Sequence, residues 1–163
     1  PIVIDDDDEE NPALCFGGWM FFGVIASILC VVLSHVGDSR IYRWRQGSAL
    51  EPLTRDHSLL NQKIDTGEIH SVSQISDFKH DNVIVRAVGL KEAVEPEVMT
   101  IQARPGELYL LCSDGLTDMV DDFAIASTLE TRVDDLTSAA DRLVSLANDQ
   151  GGKDNITLMI VGR

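Results

Sequence analysis

Two hydrophobic periods alternate along this 163-residue chain, and each predicts its own kind of element. Val31 to Val36, Ile41 to Trp44, Val98 to Ala103, Glu107 to Cys112 and Asn155 to Val161 are short apolar or alternating runs, which predict strands. Gln46-Gly47-Ser48 and Arg104-Pro105-Gly106 carry turn residues between them. Ser58 to Thr66 is amphipathic, with Ser58 as a cap and Gly67 as a stop, and predicts a helix. Asp121 to Thr128 and Asp134 to Asn148 also read as helices. In the second, Leu136, Ala139, Ala140, Leu143, Val144 and Ala147 form one apolar stripe. Residues 70 to 81 are polar and predict a surface loop, and Asn82 to Val88 predicts a strand or short extended segment. Strands dominate the first two thirds and helices flank the last strand, the pattern of an α+β fold with antiparallel sheets.

The N-terminal stretch reads two ways. A short apolar piece runs into Asp5-Asp6-Asp7-Asp8-Glu9-Glu10, whose mutual repulsion predicts a solvated loop rather than a metal site. Cys15 to Leu33 then carries no charge, which is long enough to score as a transmembrane helix. The competing reading is two or three buried strands and a short helix, with Phe21 and Val24 in the core. That reading is favoured because Gly17-Gly18 and Gly23 interrupt the run and its end merges into the strand Val31 to Val36.

Composition narrows the function. Lys and Arg number 13 against 27 Asp and Glu, a net charge of −14, which excludes a phosphate-neutralising nucleic-acid surface. Cys15, Cys30 and Cys112 fit neither an even disulfide framework nor a zinc spacing, and their apolar surroundings predict buried free thiols in a reducing compartment. The acidic N-terminus does not read as a signal peptide. The size fits one domain over residues 1–163.

The candidate chemistry lies in three aspartates at strand ends. Asp114 follows the run Leu108 to Cys112, Asp154 precedes the strand from Ile156, and Asp38 sits in Gly37-Asp38-Ser39. Hard carboxylate oxygens at converging strand ends suit Mg2+ or Mn2+, and so metal-assisted chemistry on phosphate. Each aspartate also has a plainer reading, as a turn or helix-cap residue. No histidine among His35, His57, His70 and His80 is assigned as a catalytic base. Ser113, flanked by Cys112 and Asp114, lacks the Gly-x-Ser-x-Gly setting of a nucleophile.

Five segments in this order resemble the metal-dependent PPM (PP2C-like) serine/threonine protein phosphatases of bacteria. They are His35-Val36-Gly37-Asp38-Ser39-Arg40, Leu53-Thr54-Arg55-Asp56-His57-Ser58, Asn82 to Gly89, Cys112-Ser113-Asp114-Gly115-Leu116-Thr117-Asp118 and Gly152-Lys153-Asp154-Asn155-Ile156-Thr157. The resemblance covers residues 30 to 163 and implies a β-sandwich of two antiparallel sheets flanked by helices. It implies Asp114, Asp154 and Asp38 as metal ligands, two or more Mn2+ or Mg2+ ions, and a metal-activated water acting on phosphoserine or phosphothreonine. It makes Arg40 structural. The implied partners are phosphorylated substrates of serine/threonine kinases, met by a monomeric cytoplasmic signalling enzyme with no nucleic-acid or membrane partner.

Residues 1–29 depart from the family pattern. Asn11-Pro12-Ala13-Leu14-Cys15 stands where an Asn-Glu/Gln-Asp motif belongs, and Ile25-Ala26-Ser27 where an Asp-Gly-x-Gly-Gly loop begins. A truncated or engineered core, a chain with internal segments left out and a degenerate member that binds rather than cleaves each fit this departure. The chain as written is therefore expected to hydrolyse phosphoesters weakly or not at all, and the alternative function is a phosphatase-like binding or regulatory module.

Overall fold

A computed structural model describes residues 2–4, 30–78, 83–90 and 93–162. Seven strands are described: β1 (Ile2–Ile4), β2 (Cys30–His35), β3 (Arg40–Arg45), β4 (Glu51–Pro52), β5 (Glu97–Gln102), β6 (Glu107–Cys112) and β7 (Leu158–Gly162). The helices are α1 (Leu59–Asp65), α2 (Val72–Ser76), α3 (Asp114–Thr117), α4 (Asp122–Thr131) and α5 (Leu136–Asp149). One sheet has the order β1-β7-β6-β3-β4 and the other pairs β2 with β5. The fold is α+β, as the pattern predicts. All pairings are antiparallel except β1 with β7, which run parallel.

Register explains the core. The cross-strand rows Tyr42–Leu110–Ile160 and Arg40–Cys112–Leu158 put alternate side chains on one face of the larger sheet. Tyr42, Trp44, Leu108, Leu110, Cys112, Leu158 and Ile160 are buried there against Ile125 and Leu129 of α4 and Leu136, Ala139, Ala140, Leu143 and Ala147 of α5. The α5 stripe predicted from periodicity is the stripe that is buried, with Val144 at its half-buried margin.

Several elements differ from expectation. The polar stretch 70–81 contains α2, which exists because Ser71 and Gln74 form a reciprocal capping box and not because it buries a face. Val72 is 83% exposed. Of the two readings of Asn82 to Val88, the short extended segment holds over the described part: residues 83–85 form no strand but bridge to 57–59, with Ile84 opposite Ser58. β7 starts at Leu158 because the residues before it serve the loop described below. Cys30 is exposed, against the expectation of a buried thiol, because it falls on the outward face of β2 with Val32 and Ser34. Cys112 is buried as expected. Cys15, Phe21, Val24 and the Asp5–Glu10 run lie outside the described residues. Among the described residues no helix is long and apolar enough to cross a membrane.

Candidate metal centre

The sheet register brings the three aspartate loops to one end of the sheet. Arg40 at the start of β3 pairs with Cys112 at the end of β6, and Cys112 pairs with Leu158 at the start of β7. The segments carrying Asp38, Asp114 and Asp154 therefore leave three adjacent strands on the same side.

Asp38 and Asp114 line a common cleft of about 120 Å3, together with Asp118, Arg40, Asp56, Ser58 and Ile84. Asp154 is not among its lining residues. It is exposed on the neighbouring loop, where its Oδ1 accepts the N–H of Asn155 at 2.7 Å. Asp118 was not singled out from sequence. Its signal was the i, i+4 spacing from Asp114, which puts both carboxylates on one side of a helical turn, and the Asp118 N–H does bond Asp114 O at 2.8 Å.

Ser113 ties the Asp114 and Asp154 segments together. Its Oγ donates to Asn155 O at 2.9 Å and accepts from Thr157 N–H at 3.1 Å, and its own N–H donates to Thr157 O at 2.9 Å. Ser113 occupies the N-cap of α3 but makes no side-chain cap bond, because its hydroxyl is spent on this loop. Gly115 permits the approach: a β-carbon there would stand 2.5 Å from Asn155 O. Asp114 Oδ1 accepts the Gly115 N–H at 2.8 Å.

The electrostatics are those of an anionic cleft. Burial, and then the neighbouring Asp114, push the Asp38 carboxyl above its ordinary value; its own backbone N–H works the other way, and Asp56 and Asp118 add to the rise. Arg40 does not neutralise the aspartates. Its Nε and Nη2 bind Asp56 bidentately at 2.9 and 2.7 Å, and that pairing raises the guanidinium's own affinity for its proton. The nucleophile candidates beside the cleft are disarmed. Burial pushes the Cys112 thiol up to about 12, and the Ser113 hydroxyl is engaged by two backbone groups. Hard oxygen donors in a cleft that disfavours its own negative charge fit a hard divalent cation.

No family model matches the chain. It is 37% identical over 143 residues to the serine/threonine phosphatase Stp of Listeria welshimeri, covering 86% of this chain and 56% of that one. The PPM Ser-Thr phosphatase MsPP of Mycobacterium smegmatis, solved with cacodylate, superposes with a TM-score of 0.67 at 33% identity, over 81% of this chain and 55% of MsPP. The catalytic domain of the phosphatase PstP, solved with 2 manganese ions, gives 0.64 at 36% identity, over 82% and 54%. The chain belongs to the bacterial PPM phosphatase family. It spans about half the length of the curated Stp relatives it matches.

Proposed function

We propose that this chain carries part of the metal centre of a PPM phosphatase that hydrolyses phosphoserine and phosphothreonine in proteins. The observation that carries the reading is the meeting of Asp38 and Asp114 in one cleft, with Asp118 beside them. Asp38, Asp114 and Asp118 would hold the ions, and Asp154, on the loop pinned to Ser113, would complete the set from the side. Mn2+ or Mg2+ held there would polarise phosphoryl oxygens and acidify a water for in-line attack. The protein's own part is to hold these carboxylates at fixed places. The Arg40–Asp56 pair braces the strand that follows Asp38, and the Ser113 bonds fix the Asp154 loop against α3. With Cys112 buried and Ser113 engaged, neither residue flanking Asp114 on its N-terminal side offers a covalent nucleophile, which supports attack by water.

Two six-coordinate ions need more oxygen ligands than three or four aspartates supply, so turnover by the chain as written is expected to be slow. The reading extends to phosphorylated substrates of serine/threonine kinases, a monomeric state, a cytoplasmic location and a single domain over residues 1–163. The experiment is hydrolysis of p-nitrophenyl phosphate and a phosphothreonine peptide across a Mn2+ titration, with Asp114→Ala beside it. Mn2+-dependent turnover lost in Asp114→Ala supports the proposal, and turnover indifferent to that substitution overturns it. Mn2+ binding without any turnover would favour the binding-module reading.

A further inference from the structure

Beside the acidic cleft, His35 at the end of β2, His57 in the loop before α1 and Glu97 at the start of β5 form a second cluster of ligand-type atoms, all within 4.8 Å of one another. The β2–β5 register sets His35 opposite Glu97. The two imidazoles stack, with centroids 4.6 Å apart and planes 19° from parallel. Glu97 Oε2 lies 3.3 Å from His57 Nε2 and 3.5 Å from His35 Nε2. A metal site is the obvious reading, and two observations oppose it. A histidine ligand aims its lone pair in the ring plane at an ion about 2.0–2.1 Å away, and two nearly parallel stacked rings cannot both aim at one ion. In addition, His57 Nδ1 accepts the Gly37 N–H at 3.1 Å. A ring accepting at Nδ1 is neutral with its proton on Nε2, the atom that would have to bind the metal. The same bond decides between the neighbours of Nε2. Arg86 Nη1, at 3.4 Å, faces it donor to donor, whereas Glu97 accepts from it.

We propose that His57 is a positioning residue for Asp38, clamping the preceding Gly37 through both its peptide groups in a tautomer set by Glu97. This rests on the reading of Asp38 as a metal ligand. The Gly37 N–H goes to His57 Nδ1, and Gly37 O accepts the His57 N–H at 2.9 Å. Gly37 holds φ at 95°, a left-handed conformation that the clamp keeps in place. The clamp is anchored in turn, because His57 O accepts the Val85 N–H at 2.9 Å. His35 is the wall behind the ring. It is buried, among the described residues neither of its ring nitrogens meets hydrogen-bond geometry, and burial followed by the neighbouring His57 lowers its proton affinity against the opposing pull of Glu97. Among the described residues, the charged groups in contact with the His57 ring are Glu97 and Arg86, and Asp56 is its chain neighbour.

The test compares three variants of the full chain. His57→Phe keeps a flat ring against His35 and removes the acceptor. His57→Asn keeps an acceptor near the Nδ1 position and removes the ring. Asp38→Asn removes the carboxylate. The readouts are the His57 tautomer by 15N NMR, hydrogen exchange of the Gly37 amide, and the Mn2+ dissociation constant by calorimetry. The wild type should show the Nε2–H tautomer. His57→Phe should exchange the Gly37 amide about tenfold faster, as expected for one lost hydrogen bond, and bind Mn2+ roughly 10–100-fold more weakly, the range for groups that orient a ligand. His57→Asn should recover most of both. Wild-type Gly37 exchange in His57→Phe, an Nδ1–H tautomer, or His57→Asn behaving like His57→Phe would each overturn the proposal. So would Zn2+ binding to the wild type that is lost in His57→Phe, since it would make the cluster a metal site. If Asp38→Asn leaves Mn2+ affinity unchanged, the metal-centre reading fails instead, and Gly37 exchange still decides whether the clamp exists.

Discussion

Replacing Gly115 with alanine sets two effects of opposite sign against each other. Gly115 lies in α3, and on helix propensity alone an alanine would stabilise the fold by ~0.5–1 kcal/mol. Against that, its β-carbon would stand 2.5 Å from Asn155 O, 2.9 Å from Asn155 C and 3.4 Å from Asp154 C. Carbon–oxygen contacts settle at about 3.3–3.6 Å, so the loop would have to retreat by roughly 1 Å. It is held by the three Ser113 bonds to Asn155 and Thr157. Overpacking costs about 1–3 kcal/mol, and each weakened hydrogen bond about 0.5–1.5 kcal/mol. The steric effect wins, and Gly115→Ala is expected to destabilise by about 2–4 kcal/mol. Urea unfolding followed by circular dichroism reads this as a lower midpoint at unchanged slope. Ser113→Ala, which removes two of the bonds without adding an atom, should cost less, about 1–2 kcal/mol. Gly115→Ala matching or exceeding wild-type stability would refute the packing of the Asp154 loop on α3.

Asp38→Asn should stabilise the metal-free fold at neutral pH while weakening Mn2+ binding. Because the folded-state pKa of Asp38 is raised, the fold favours its protonated form; this contribution is fully present below the ordinary carboxyl value and is lost as pH rises through the raised one. The gain should therefore vanish in unfolding experiments run below that ordinary value; a gain independent of pH would contradict it. Arg40→Lys should cost about 1–2 kcal/mol in urea unfolding, because an ammonium cannot reproduce the bidentate contact with the part-buried Asp56. Leu143→Ala, at a fully buried position on α5, should cost about 2–5 kcal/mol, and a loss under 1 kcal/mol would place the core elsewhere.

Burial was the part of the fold legible from sequence. β6 reads as a buried strand because five of its six residues are buried, and α5 reads as a helix because Leu136, Ala139, Ala140, Leu143 and Ala147 repeat with the helical period. Elements without a buried face left no such trace. α2 depends on the Ser71–Gln74 capping box, and the parallel seat of β1 on β7 depends on a partner more than 150 residues away. At the candidate site, the motif order singled out Asp38, Asp114 and Asp154, and the loop geometry divides them. Asp38 and Asp114 share the cleft with Asp118, while Asp154 turns its Oδ1 to Asn155. The stacking of His35 on His57 and the tautomer of His57 belong to tertiary contacts between residues 22 apart, which no local pattern encodes.

The most direct test of the central claim, that the cleft of Asp38, Asp114 and Asp118 holds a divalent cation, is a Mn2+ titration followed by electron paramagnetic resonance, in which bound ion loses the signal of free ion. Saturable binding by the wild type is expected, weakened at least about tenfold by Asp114→Ala, in line with the loss of a charged ligand from a shell of hard oxygens. Equal affinity in wild type and Asp114→Ala would contradict it and move the ion to another part of the chain.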